Sequence, residues 1–330
     1  MSVLITGGAG YIGSHMAHHL VEAGEDIVVL DNLSTGVEKN LPRNIPFIKG
    51  DIADATLVAK ILGDHKVDSI IHFAGSVVVP ESVEKPLDYY ANNTSGARSL
   101  IETAVRQGIA NFIFSSTAAV YGTPEVLPVP EESPTIPESP YGRSKLMTEW
   151  MLQDAAAAHG IKFGILRYFN VAGADAQGRT GQSTPRATHL IKRACQVATG
   201  QAPLLTIFGT DYDTPDGTGV RDYIHVSDLV DIHQAVLAYL RKGGESLLIN
   251  CGYGRGFSVR QVAATVERVS GQTLKIEEAP RRPGDMASVV ANTAKLSKVL
   301  GWKPRHADLE TIVSTALAWE KRIKSEMDAS

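Results

Sequence analysis

Val3-Leu4-Ile5-Thr6-Gly7-Gly8-Ala9-Gly10-Tyr11-Ile12-Gly13 is the stretch that decides the fold. A short apolar run leads into a turn with glycines at 7, 10 and 13, and an amphipathic stretch, Ile12–Ala23, follows. The order reads as strand, tight turn, helix. Glycine at these spacings permits the turn, lets backbone approach a pyrophosphate, and lets the helix pack closely on the strand. The start of the helix, at Tyr11 and Ile12, offers free N–H groups and a positive dipole end to phosphate. Asp31 ends the next apolar run, at the distance of about 20 residues where a carboxylate bonds a ribose 2′-hydroxyl and repels a 2′-phosphate. No Arg or Lys lies between Asp31 and Glu38, which favours NAD over NADP.

Working outward, short β-rich runs alternate with helical patterns. Strands are expected at Val3–Ile5, Ile27–Leu30, Phe47–Ile48, Ile70–Phe73, Phe112–Phe114 and Phe163–Tyr168. Helices are expected at Ile12–Ala23, Ala55–Leu62 and Gly96–Gln107. Such alternation implies right-handed crossovers and a parallel sheet covered on both faces, a doubly wound α/β domain over residues 1–168. Pro124–Pro140 holds six prolines and reads as a long loop leading to a helix near Tyr141. Beyond Tyr168 the pattern is irregular, then helical at Val226–Leu240, Val259–Val269 and Leu309–Ile323. Residues 169–330 are read as a smaller mixed α/β substrate domain, with 226–250 returning to pack on the first.

Composition narrows the function classes. The chain has 330 residues, 43% of them hydrophobic, and a net charge of −4 without a long run of one sign. Nothing in that balance favours nucleic acid or an anionic membrane. No apolar run approaches the roughly 20 residues that span a bilayer. The N-terminus lacks the charged and apolar regions of a signal peptide. Two cysteines, Cys195 and Cys251, fit a reducing compartment. A cytoplasmic protein is expected. His15, His18 and His19 cluster on the first helix, but no carboxylate or thiol completes a site with them, so no metal is expected.

The chemistry centres on Tyr141-Gly142-Arg143-Ser144-Lys145. On a helix a phenol and an ammonium four residues apart share one face. A nearby cation favours the phenolate, which makes Tyr141 a base. Phe114-Ser115-Ser116-Thr117 brings three hydroxyls to a strand's carboxyl end, where they serve either as turn formers or as partners for Tyr141 and a substrate hydroxyl. Asp51-Ile52 and Phe73-Ala74-Gly75 end the third and fourth strands, at the edge of the cofactor crevice. Each is read there as either an adenine or phosphate contact or a plain strand end.

Taken together, the glycines at 7, 10 and 13, the hydroxyl triplet and the Tyr-x-x-x-Lys resemble the signature of the extended short-chain dehydrogenases/reductases, a Rossmann-type superfamily. Within it the chain is similar to the UDP-hexose 4-epimerase branch along nearly its whole length. Further stretches that carry the likeness are Tyr89–Asn93, Arg167–Gly173, Thr218–Asp228 and Arg282–Asp285. The resemblance implies tightly held NAD and interconversion of UDP-glucose with UDP-galactose through a 4-keto sugar. Tyr141 would take the 4-hydroxyl proton, Lys145 would contact the nicotinamide ribose and, with the cationic ring, lower the Tyr141 pKa, and Thr117 would share the proton. It assigns Asn32, Asn93, Ser115 and Tyr168 to the cofactor as well. Asn170 would contact the substrate phosphates, Arg221 and Arg282 would clamp the diphosphate, and Asp285 would bind the uridine ribose. His189, Leu190 and Phe208 fall on the substrate side. A homodimer is implied.

The chain departs from the branch at three positions. Val77 stands where some relatives have a phosphate-binding Lys, and His189 where some have Asn. Val289 stands where a bulky Tyr can flank the sugar, which leaves room for an N-acetyl substituent. A 4,6-dehydratase would need Asp-Glu after the threonine, whereas Ala118-Ala119 follow Thr117 here. A UDP-glucuronate or UDP-pentose 4-epimerase or decarboxylase remains an alternative, and a non-catalytic NAD-sensing regulator is the non-enzyme one.

Overall fold

In the computed structural model, which describes residues 1–184, 188–282 and 285–329, the central sheet has seven parallel strands. They are β1 (Ser2–Thr6), β2 (Ile27–Asp31), β3 (Phe47–Lys49), β4 (Val67–His72), β5 (Asn111–Thr117), β6 (Lys162–Tyr168) and β10 (Leu247–Cys251). Their spatial order is β10-β6-β5-β4-β1-β2-β3. The order reverses between β1 and β4, the switch point where parallel sheets open a crevice for ligands.

Both faces of the sheet are covered, which is why every residue of β1 and β2 is buried. Successive side chains alternate between the faces. Val3 and Ile5 pack with Met16 and Leu20 of α1 (Tyr11–Glu22) and with Val230 and Val236 of α8 (Val226–Arg241). Leu4 points the other way, toward Leu100 and Ile101 of α5 (Gly96–Arg106) and Leu152 of α6 (Pro140–His159). Helix α2 (Ala55–Asp64) completes that layer with Val58 and Ile61. Between β4 and α5 run α3 (Val79–Glu84), α4 (Pro86–Tyr89) and a wide π-type turn, Tyr90–Ser95.

The returning segment lies against the nucleotide half. β10 pairs with β6 in parallel register, Leu247 beside Gly164 and Cys251 beside Tyr168. α8 packs on α1, β5 and β6. The rest of the second half has its own core. Helices α7 (Leu190–Ala198), α9 (Val259–Ser270) and α11 (Leu309–Asp328) meet through Ile191, Cys195, Val262, Val266, Ile312 and Leu317. A small sheet joins β7 (Asn170–Ala172), β9 (Val220–His225), β11 (Gly256–Ser258) and β13 (Ser288–Val289), and β8 (Leu205–Phe208) pairs with β12 (Ile276–Ala279). Helix α10 (Ala294–Leu300) packs on β10.

The expected elements are present, with ends moved by caps. Helix α6 starts where Ser139 Oγ accepts from the Gly142 N–H, with Pro140 in its first turn, and ends at Gly160 in the left-handed region (φ 77°). The π turn at Asn93 has no signature in hydrophobic periodicity and was not expected. Each histidine of α1 makes a hydrogen bond through one ring nitrogen. His15 Nδ1 donates to the Tyr11 carbonyl at 2.7 Å, His18 Nε2 to the Asn40 carbonyl at 3.0 Å, and His19 Nε2 to Gln234 Oε1 at 2.6 Å. Among the described residues no helix is long and apolar enough to cross a membrane.

Candidate active site

The nucleotide side is made largely of backbone. Gly7 has φ 68°, and a Cβ there would stand 2.5 Å from the Ala74 nitrogen, so the turn after β1 presses on the segment after β4. A Cβ at Gly13 would lie 2.2 Å from the Gly7 carbonyl oxygen, which is what lets α1 begin so close to the turn. Gly10 caps α1 without a side-chain hydrogen bond, leaving the first N–H groups of that helix to a ligand. Asp31, at the end of β2, accepts from the Ala9 N–H at 2.9 Å and the Leu33 N–H at 2.8 Å. Each carboxylate oxygen keeps a lone pair for a ribose hydroxyl. Asn32 donates to Asp51 at 3.0 Å, tying the ends of β2 and β3, and Ile52 is buried against Gly96. These residues suit an adenosine diphosphate moiety: a cradle with no side chains, a helix N-terminus and a carboxylate at the ribose position.

Asn93 holds the next stretch. Its Oδ1 accepts from the Ser76 N–H at 2.7 Å, and its Nδ2 donates to the Ser76 carbonyl at 2.9 Å and to Ser144 Oγ at 3.1 Å. One amide therefore ties the Phe73–Ser76 loop to helix α6. Single π turns inside helices tend to mark functional positions, and this one aims Asn93 at that loop. Val77, where a phosphate-binding Lys was considered, is half exposed.

Over this floor stand the groups that can move a proton. Tyr141 and Lys145 lie one turn apart on α6, 8% and 4% exposed. The Thr117 hydroxyl faces the Tyr141 phenol and favours its phenolate. Lys145 Nζ donates to the Ser115 carbonyl at 3.1 Å and sits 5.0 Å from the centre of the Phe114 ring. Tyr168, at the end of β6, faces Ser115 and Tyr141. Gly75 leaves space in front of the ammonium, since a Cβ there would lie 3.4 Å from Lys145 Nζ.

Burial dominates the electrostatics of the unliganded protein. It raises the Tyr141 pKa, and the Thr117 hydroxyl is what opposes it. Lys145 gives its hydrogen bond to the Ser115 carbonyl rather than to the phenol. Burial also pushes Lys145 down to about 8, against the Glu149 carboxylate, which holds it up. His72 is buried, bonded to Thr6 Oγ1 at 2.7 Å, and pushed down to about 3 by burial and by Lys145, so it is a neutral imidazole.

The residues expected on the substrate side form two groups. Tyr11, Asn170, His189 and Leu190 line one cavity together with Tyr223 and Trp319. The Tyr11 hydroxyl donates to the Gly173 carbonyl at 2.7 Å, and Asn170 Nδ2 donates to the Asp222 carbonyl at 3.3 Å. The second group gathers Phe208, Arg221, Arg282, Asp285 and Val289. The Arg282 guanidinium lies 4.7 Å from the Phe208 ring centre and pairs with Asp285 at 2.8 and 3.2 Å. Arg221 is largely buried and feels the Asp285 charge, with Val289 beside it in the β9–β13 register. Pro283 and Gly284, between the two members of that ion pair, lie outside the described residues. Val289 is 5% exposed, a packed strand residue.

Sequence reading missed the polar groups that support this site. Glu149, Arg167 and Ser116 form a buried cluster behind the catalytic face, and Ser144 joins Asn93 to α6. The signal for Glu149 was available, since it continues the Tyr141–Lys145 spacing by one more turn.

A parallel sheet with a glycine cradle, a ribose carboxylate and a Tyr–Lys–Thr group at its crossing defines a nucleotide-dependent oxidoreductase-type site. Comparison with known proteins places it. The model of the NAD dependent epimerase/dehydratase family matches residues 3–252, and the chain belongs to that family. Its relatives include the UDP-glucose 4-epimerase of Azospirillum brasilense, 57% identical over 98% of this chain and 93% of that protein. Among solved structures, UDP-glucose 4-epimerase from Brucella ovis in complex with NAD superposes with a TM-score of 0.95, at 42% identity over 97% of this chain and 98% of the other. The UDP-Glc/GlcNAc 4-epimerase of Campylobacter jejuni gives a TM-score of 0.85, with 47% identity over 97% and 99% of the two chains.

Proposed function

We propose that this chain interconverts UDP-glucose and UDP-galactose at sugar C4, as an NAD-dependent isomerase. The observation that carries the reading is the buried Tyr141–Lys145 pair, one turn apart on α6 with Thr117 beside the phenol, over a cradle that only glycine allows. Gly7, Gly10, Gly13, Asp31, Asn93 and Lys145 would hold NAD. Bound there, NAD supplies a reversible hydride acceptor. Tyr141 takes the proton from the sugar 4-hydroxyl and later returns it to the 4-keto group. Thr117 bonds the oxygen that exchanges that proton. The cationic nicotinamide and Lys145 together favour the phenolate that burial alone disfavours. Ala118 and Ala119, next to Thr117, carry no group that moves a proton, which sets the site against eliminating water from the sugar.

Arg221 and Arg282 suit a diphosphate, since guanidinium offers paired donors to phosphate oxygens. Without substrate Arg282 is paired with Asp285, so binding would exchange one partner for another and free the carboxylate for a ribose. The small side chain at Val289 also favours turnover of UDP-N-acetylhexosamines. The patch formed by Val83 on α3, Leu87 on α4 and Met147 and Trp150 on α6 is exposed on helices that touch each other. An apolar surface of this kind suits a two-fold homodimer, and Trp150→Glu should yield monomers by light scattering. An unchanged mass would count against that face. The two buried, unpaired thiols suit a cytoplasmic setting.

Purified protein given UDP-galactose, without added NAD, should form UDP-glucose. Tyr141→Phe should keep its fold and NAD while kcat falls by about 10²- to 10⁴-fold. Folded, NAD-loaded protein that leaves UDP-galactose unchanged would end the proposal.

A further inference from the structure

Along α6 the spacing that puts Tyr141 and Lys145 on one face reaches Glu149 one turn further on. Glu149 is completely buried. Arg167 of β6 meets it with Nε at 3.0 Å and Nη2 at 2.5 Å, and the Ser116 hydroxyl of β5 donates to the same carboxylate. Arg167 also covers the Tyr121 ring at 4.8 Å and donates to the Glu131 carbonyl at 3.3 Å. The charge pair thus has partners on every side.

Stability does not account for this arrangement. A buried ion pair contributes little net stability, and apolar side chains of similar volume often hold a fold as well or better. Position does account for it. Ser116 stands between Ser115, whose carbonyl takes the Lys145 ammonium, and Thr117, whose hydroxyl faces Tyr141. Side chains alternate along a strand, so Ser116 reaches Glu149 from the face opposite to those of Ser115 and Thr117. The bond between Ser116 and Glu149 pins the end of β5 to the same helix that carries the phenol and the ammonium.

We propose that Glu149, held by Arg167 and acting through Ser116, is the positioning residue that sets Thr117 and the Ser115 carbonyl against Tyr141 and Lys145. The inference rests on the epimerase reading of the site. Its carboxylate also faces Lys145 along α6. Lys145 in turn faces His72 and the Gly75 loop from β4 and Phe114 from β5, and Tyr141 faces Thr117, Tyr168 and Tyr89. Loosening the end of β5 moves the Thr117 hydroxyl from the phenol whose ionised form it favours, so the Tyr141 pKa rises.

Ser116→Ala removes one hydroxyl and no charge. It should fold, retain NAD and keep its KM, while kcat falls about 10- to 100-fold, the cost of a small misplacement of reacting groups. The acid limb of its pH–kcat profile should move to higher pH. In ligand-free protein, the ultraviolet phenolate titration that disappears in Tyr141→Phe should move the same way. The pair Glu149→Leu/Arg167→Leu should restore an unstrained core and melt no lower than the wild type, yet remain slow. Wild-type kcat and an unmoved phenolate titration in Ser116→Ala would overturn the inference, as would wild-type kcat in the double variant. A wild-type protein that does not epimerise would instead fault the functional reading, and the ligand-free titration would still decide the positioning role.

Discussion

The nucleotide side of the candidate site is held by backbone and short side chains, whereas the proposed sugar-nucleotide side carries long cations, one of them paired with a carboxylate. Gly7 presses on Ala74 after β4, Gly13 on the Gly7 carbonyl, and Asp31 bonds the Ala9 and Leu33 N–H groups. Arg282 is half exposed and bound to Asp285 at the surface. A cofactor that stays through each turnover suits the first construction. A 4-keto sugar that must present both faces to one hydride suits the second, in which contacts exchange. The contrast teaches that rigidity here is assigned by role.

Gly13→Ala is the harshest test of the rigid side. Its Cβ would stand 2.2 Å from the Gly7 carbonyl oxygen, and the atom in the way is backbone. The variant should lose NAD altogether, read as the absence of cofactor absorbance in purified protein. A fully loaded Gly13→Ala would show that the cradle is looser than described.

Val289→Tyr sharpens the adaptable side. The residue lies next to Arg221, in a packed position. A larger ring there should lower kcat/KM for UDP-N-acetylglucosamine about 10- to 100-fold, with UDP-glucose changed far less, since a pocket rejects bulk more strongly than it rewards it. Equal losses on both sugars would mean that Val289 only packs the strand.

The smallest effect concerns stability, and it has a definite sign. Burial lowers the Lys145 pKa from 10.5 to about 8. Between those values the unfolded chain binds more protons than the folded one, so stability from this group rises with pH through that window. Lys145→Met should therefore stabilise the ligand-free protein below pH 8, by about 1–2 kcal/mol after the lost Ser115 hydrogen bond is subtracted. The gain should fade as pH approaches 10.5. Denaturant melts at pH 7 and pH 10 check it, and a destabilised variant at pH 7 would contradict it.

The same contrast governs what was legible in the sequence. Glycine spacing, a strand-end carboxylate and a Tyr-x-x-x-Lys are local patterns, and each fixes its own geometry within a few residues. The fold could therefore be read directly, as a parallel sheet whose edge strand β10 pairs with β6. The support of the site could not. Glu149 meets Arg167 and Ser116 across three elements, and Asn93 is aimed by a π turn that leaves no periodic trace. The pairing of Arg282 with Asp285 was also unread, because both were considered as ligands of substrate and not of each other. The raised Tyr141 pKa of the ligand-free protein was not legible either: four-residue spacing shows that two groups share a face, but not how deeply the phenol is buried.

The central claim is that one hydride leaves C4 and returns to the same carbon without reaching water. UDP-galactose carrying deuterium at C4 tests it most directly. Incubated in ordinary water with the purified protein and no added NAD, it should yield UDP-glucose that keeps the deuterium at C4. Product that has exchanged its label with solvent, or conversion that begins only when NAD is added to protein already carrying its cofactor, would contradict the account.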